Sequence, residues 1–312
     1  MRRTLAPALA GWLCASLLAA RADAFCRTTT CDPEREADGC DRVDGCATRG
    51  IPLFWPDACV TYAVQSRGSP ARGVSAFEVD QAMRGAFSAW LGVDCQGGQP
   101  SMGVVPLGGA SCDEVEFNAP VQGRGGAPNA NIVIFRDDEW PYPDEFSVIA
   151  RTSLTFDPRT GAIFDADIEI NSFQNEFSTS DDAISNDLQA VLTHEVGHFL
   201  GLDHSEEENA TMRWNYDLAN LGARTLSDDD RAGICSIYAP LDEPLLECPG
   251  NTGPWHGFSR ECGTPVDADP GCSLEPVRHA SGNTGVTGAA AAVWPCAALL
   301  LMLAGRRRRW PG

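Results

Sequence analysis

A chain of 312 residues has room for one domain of ordinary size plus segments at either end, so one catalytic unit is expected rather than two. Its 43 acidic residues against 23 basic ones give a net charge of -20, which disfavours nucleic acid as a partner because phosphate binding needs a positive surface. The 13 cysteines lack paired C-x2-C spacing, so disulfides are expected of them rather than a cysteine zinc site.

In chain order, Arg2 and Arg3 precede an apolar stretch closing on Ala22 and Ala24, so residues 1–24 read as a signal peptide cleaved near Phe25. Residues 25–50 are polar and dense in cysteine, a disulfide-tied lead segment without a core of its own, or a propeptide. Val60, Tyr62 and Val64 alternate as in a strand. From 75 to 91, Phe77, Met83, Phe87, Trp90 and Leu91 recur at helical spacing behind a capping Ser75, and their aromatics are assigned to the core. Residues 98–130 read as loops with a weak strand around Val104 and Phe117. The apolar run 131–135 suits an interior strand.

Residues 148–172 predict a strand pair turning at 157–161. On its second strand Asp165, Asp167, Glu169 and Asn171 share one face, either solvated or supplying structural Ca2+ ligands. A second long helix runs from Asp187 to Leu202. Residues 241–285, rich in Pro, Gly and Cys, read as a linker. Residues 286–304 are apolar and run into Arg306–Arg309. At about 1.5 Å per residue such a stretch just crosses a bilayer core of about 30 Å, with the arginines as a stop signal. Residues 286–312 therefore read as a transmembrane or sorting tail, and the chain as exported, to the cell surface or beyond it, with membrane anchoring through the C-terminal helix.

The chemistry concentrates between His194 and His204. Residues four apart on a helix share a face, so His194 and His198 can present two imidazoles to one ion. Gly201 can end the helix in a left-handed conformation and return His204 to the same ion. Three neutral imidazoles leave a position for water, the arrangement of catalytic zinc, and Glu195 is placed to act as general base.

HEVGHFLGLDH at 194–204 resembles the metzincin zinc signature, and His204-Ser205 with Ala210-Thr211-Met212 is similar to the matrixin pattern. LSDDDRAGICSIY at 226–238 resembles that family's closing helix. The resemblance implies an α+β metzincin-like catalytic domain over 51–240, with a twisted mixed sheet, two long helices, a Met-turn and a C-terminal helix. It also implies that Met212 is the turn methionine and that Asp229 and Asp230 tie the last helix to that turn and to the mature N-terminus. Arg213-Trp214 stands where the family has Tyr-Pro, so specificity is not carried over, and Trp214 disfavours the astacin branch. The thiol latency motif is missing before the domain; 260–267, RECGTPVD, is faintly similar to it, with Cys262 in a stalk disulfide or at the open metal position. The tail resembles bacterial C-terminal sorting signals in its apolar run and arginines.

These features lead to a zinc-dependent endopeptidase acting on an extended polypeptide of extracellular proteins, with oligomeric state left open. The alternative is a non-catalytic surface adhesion or matrix-binding module on the same fold.

Overall fold

The computed structural model describes residues 25–31, 40–115, 130–142, 148–181, 185–215, 220–241 and 248. All lie within one compact unit, Met1–Asp269. The signal peptide, most of the 241–285 linker, Cys262 and the 286–312 tail lie outside the described residues.

Five strands build the sheet: β1 (Cys59–Gln65), β2 (Gly103–Ala110), β3 (Ile132–Phe135), β4 (Ala150–Phe156) and β5 (Ile163–Ile170). Their order is β2-β1-β3-β5-β4. All neighbours are parallel except β4 and β5, an antiparallel hairpin, so the sheet is mixed. Each residue of β3 is buried, as its unbroken apolar run requires. β2 is longer than the weak strand expected around Val104, while Phe117 lies outside the described residues. Gly103, Pro106, Gly108 and Gly109 hide β2 from a propensity reading, and a proline is tolerated there because β2 is an edge.

Helix α1 (Ala76–Leu91) starts on a capping box in which Ser75 and Glu78 satisfy each other's backbone N–H groups. It buries Val79, Met83, Ala86, Phe87 and Trp90. Phe77, assigned above to that face, is 70% exposed. At 100° per residue it points roughly 140° away from the centre of the buried stripe. Helix α2 (Leu188–Phe199) packs against α1, and α3 (Asp228–Ile237) closes the domain. Phe87 stacks on Tyr62 and meets Phe199 edge-on, joining sheet, α1 and α2 in one core.

The acidic face of β5 is not solvated. Asp165, Asp167 and Glu169 are 2%, 1% and 0% exposed. Asp167 accepts the Ile132 N–H, and Glu169 is bound by Arg136 and the Tyr142 hydroxyl. Protein donors thus cover a face that its composition marks as wet. No calcium-type carboxylate cluster is found among the described residues.

The expectation of an exported chain held by a membrane-crossing segment is corrected. Among the described residues no helix is long and apolar enough to cross a membrane. The longest, α1, has 16 residues. That is about 24 Å at 1.5 Å per residue, short of a bilayer core, and it carries Glu78, Asp80 and Arg84.

Among the described residues, four disulfides join Cys26–Cys46, Cys31–Cys40, Cys59–Cys248 and Cys95–Cys235, and Cys112 is also disulfide-bonded.

Candidate metal centre

Helix α2 is fixed at both ends before it presents any ligand. Asp187 caps it by accepting the Ala190 N–H, and Arg224 grips both oxygens of the Asp187 carboxylate. Midway along it the indole N–H of Trp90 donates to Thr193 O, and at its far end the indole N–H of Trp55 donates to Phe199 O and the Tyr238 hydroxyl to Leu200 O. Gly201, at φ +96°, then turns the chain in the left-handed region that a side chain resists.

From this frame His194, His198 and His204 converge. Nε2 of His198 lies 3.2 Å from that of His194 and 3.3 Å from that of His204. Tetrahedral zinc with bonds of 2.0–2.1 Å places ligand nitrogens about 3.3 Å apart, so the spacing fits the ion. Nδ1 of His194 donates to Thr211 O at 2.7 Å and Nδ1 of His198 to Leu202 O at 2.8 Å. Protonation at Nδ1 leaves the Nε2 lone pair of each ring for the metal. Burial and the neighbouring imidazoles push the His198 pKa well down, and burial with His194 pushes His204 down to about 4. The rings of His198 and His204 are thus held neutral, as ligation demands.

Glu195 is 5% exposed. Thr152 on β4 donates its hydroxyl to Glu195 Oε2 at 2.6 Å, and the same hydroxyl oxygen lies 3.1 Å from Glu195 O. Burial raises the Glu195 pKa, opposed by His194 and by the Thr152 hydrogen bond.

Met212 is 2% exposed and lies against Gly197, where an added Cβ would fall 2.1 Å from the Met212 sulfur. Asp230 caps α3 jointly with Ser227 and also accepts the N–H groups of Thr211 and Met212. Thr211 is the residue whose carbonyl orients His194, so Asp230 acts on a ligand through one residue. Asp229 accepts the Ser205 hydroxyl at 2.7 Å. Trp214, two residues beyond Met212, is 61% exposed, and Glu206, Glu207 and Glu208 are exposed.

Thr152, Asp187, Arg224, Trp55, Trp90 and Gly197 escape the sequence reading as parts of this centre. Gly197 carries a signal, since a glycine inside a helix costs about 1 kcal/mol and implies close approach. Asp187 carries another as an Asp at the start of the helix, though its tie to Arg224 does not show locally, and the others act across large sequence separations.

The matrixin family profile matches residues 129–239. Matrix metalloproteinase-C of Caenorhabditis elegans is 29% identical over 197 residues, 61% of this chain and 30% of that protein. Human matrix metalloproteinase-16 is 27% identical over 191 residues, 61% of this chain and 28% of its own. Human neutrophil collagenase is 25% identical over 239 residues, 76% of this chain and 41% of its own. The chain thus matches less than half the length of each of these relatives. Profile match and histidine cluster together support a matrixin-like zinc-protease domain in this part of the chain.

Proposed function

We propose that the chain hydrolyses internal bonds of extended polypeptides with Glu195 as general base. The observation that carries this reading is a buried carboxylate one residue from a ligand, steadied by Thr152, beside a histidine cluster in which Nε2 of His198 lies at zinc spacing from those of His194 and His204. Zinc bound there supplies Lewis acidity toward water and toward the scissile carbonyl. Glu195 takes a proton from the attacking water as the C–O bond forms, then delivers it to the amine nitrogen as the C–N bond breaks. Burial, which raises its pKa, suits the carboxyl to hold that proton between the two events.

β4 lies at the open edge of the sheet, and its Thr152 touches Glu195. A substrate added as a further strand along β4 would have a peptide bond beside Glu195, which favours internal cleavage. Met212 is read as the turn methionine below the ligands, with Asp229 and Asp230 tying the last helix to that turn and Gly201 ending α2 so that His204 returns to the ion. Glu195 itself weighs against a non-catalytic adhesion module, which has no need of a base.

The test is cleavage of a mixed peptide library by the full chain and by Glu195→Ala, with zinc measured in both. Turnover in the parent and a loss of about 10^3-fold or more in a variant that keeps its zinc is expected. Equal turnover in the two would refute Glu195 as the base.

A further inference from the structure

The cysteine-rich lead segment makes direct hydrogen bonds to the stretch that carries the third ligand. Cys26–Arg27 pairs antiparallel with Leu202–Asp203. The Thr28 N–H donates to Gly201 O at 3.0 Å, and the Thr28 hydroxyl donates to Leu202 O at 2.8 Å. Leu202 O is the same carbonyl that accepts Nδ1 of His198. Arg42 donates to Asp203 Oδ2 at 2.9 Å, while Asp203 Oδ1 accepts the backbone N–H of His204 at 2.8 Å. The Cys26–Cys46 bridge joins the two anchoring points, and Cys26 is 1% exposed. Gly45 approaches Glu206 so closely that a Cβ there would lie 2.8 Å from its Cγ.

We propose that residues 26–31 and 40–47 are a retained part of the metal centre, which position His198 and His204 through Leu202 and Asp203, and are not a propeptide removed for activity. All four cysteines of the segment are closed in the Cys26–Cys46 and Cys31–Cys40 bridges, so none supplies a thiolate to the metal. Thr28 and Arg42 are positioning residues, acting on zinc through the Leu202 carbonyl and the Asp203 carboxylate respectively. Groups that orient metal ligands in this way change affinity by about 10- to 100-fold when removed.

The inference rests on the reading of the three histidines as zinc ligands. Its test compares the full chain with Thr28→Val, Thr28→Ser and Arg42→Ala, measuring zinc dissociation constants by chelator competition and folding of the metal-free protein by near-ultraviolet circular dichroism. Thr28→Val is expected to bind zinc about 10-fold more weakly while folded, Thr28→Ser to restore the parent value, and Arg42→Ala to fall between. Folded variants that hold zinc like the parent overturn the proposal. Should Thr28→Val not fold, Arg42→Ala decides alone, because that side chain is half exposed. A parent that takes up no zinc would sink the site reading itself. A second arm cuts the chain at an engineered site between Cys46 and Ile51 and reduces the bridges. Zinc loss is expected, and a gain of peptidase activity with zinc retained would overturn the proposal.

Discussion

A threonine hydroxyl has one hydrogen to donate, and Thr152 directs it at Glu195 Oε2. Thr152→Val keeps the shape and removes the donor, so kcat should fall about 10-fold with KM little changed, and Thr152→Ser should recover most of it; steady-state kinetics on one peptide decide this. At Gly197 the constraint is steric. A Cβ there would meet the Met212 sulfur at 2.1 Å and the Trp90 ring at 2.8 Å, so Gly197→Ala should lower unfolding free energy by about 2–3 kcal/mol in urea titration. The ligands were legible because helical spacing alone puts His194 and His198 on one face. Thr152 was not, since its partner lies 43 residues away and no local pattern encodes that contact.

Among elements, α2 depends on a pair that joins its N-cap to the 3-10 turn Leu221–Arg224. Arg224→Ala leaves the 1%-exposed Asp187 side chain without its cation. The expected loss is about 2–3 kcal/mol, less than for a fully buried pair because the arginine is 22% exposed. Chemical denaturation checks it. On β5, burial and the charge of Asp165 hold the Asp167 carboxyl well above its ordinary range. A raised folded pKa means that its contribution to stability is present below the ordinary carboxylate pKa and is lost as pH rises through the folded value. Asp167→Asn should therefore raise Tm at neutral pH and leave it little changed near pH 3; an unchanged pH dependence would contradict this. Period-two alternation placed these carboxylates on one face correctly. What alternation does not carry is the cover, which comes from Ile132, Arg136 and Tyr142 on other segments. Phe77 shows the converse error, an aromatic at the edge of a helical pattern assigned inward by type rather than by angle.

Over the molecule as a whole, Cys95–Cys235 links the end of α1 to α3 across 140 residues, and Cys59–Cys248 spans 189. Closing loops of this size in the unfolded chain is worth about 3–5 kcal/mol each. Replacing Cys95 and Cys235 together by serine should lower Tm markedly, as calorimetry would record. The cysteine count pointed to bridges but not to their pairing, which depends on three-dimensional proximity.

The hydrogen bonds that Trp55, Trp90, Tyr238 and Thr28 make to carbonyls around the end of α2 reach beyond stability. They hold the backbone that carries the ligands through protein contacts alone, so the ion should enter a rack already shaped for it. Chelation should therefore leave a native tertiary structure, unlike the collapse of a zinc finger. Cobalt(II), content with nitrogen donors in a tetrahedron, should enter the vacated rack without rearrangement, whereas magnesium, which demands six oxygens, should find no purchase there.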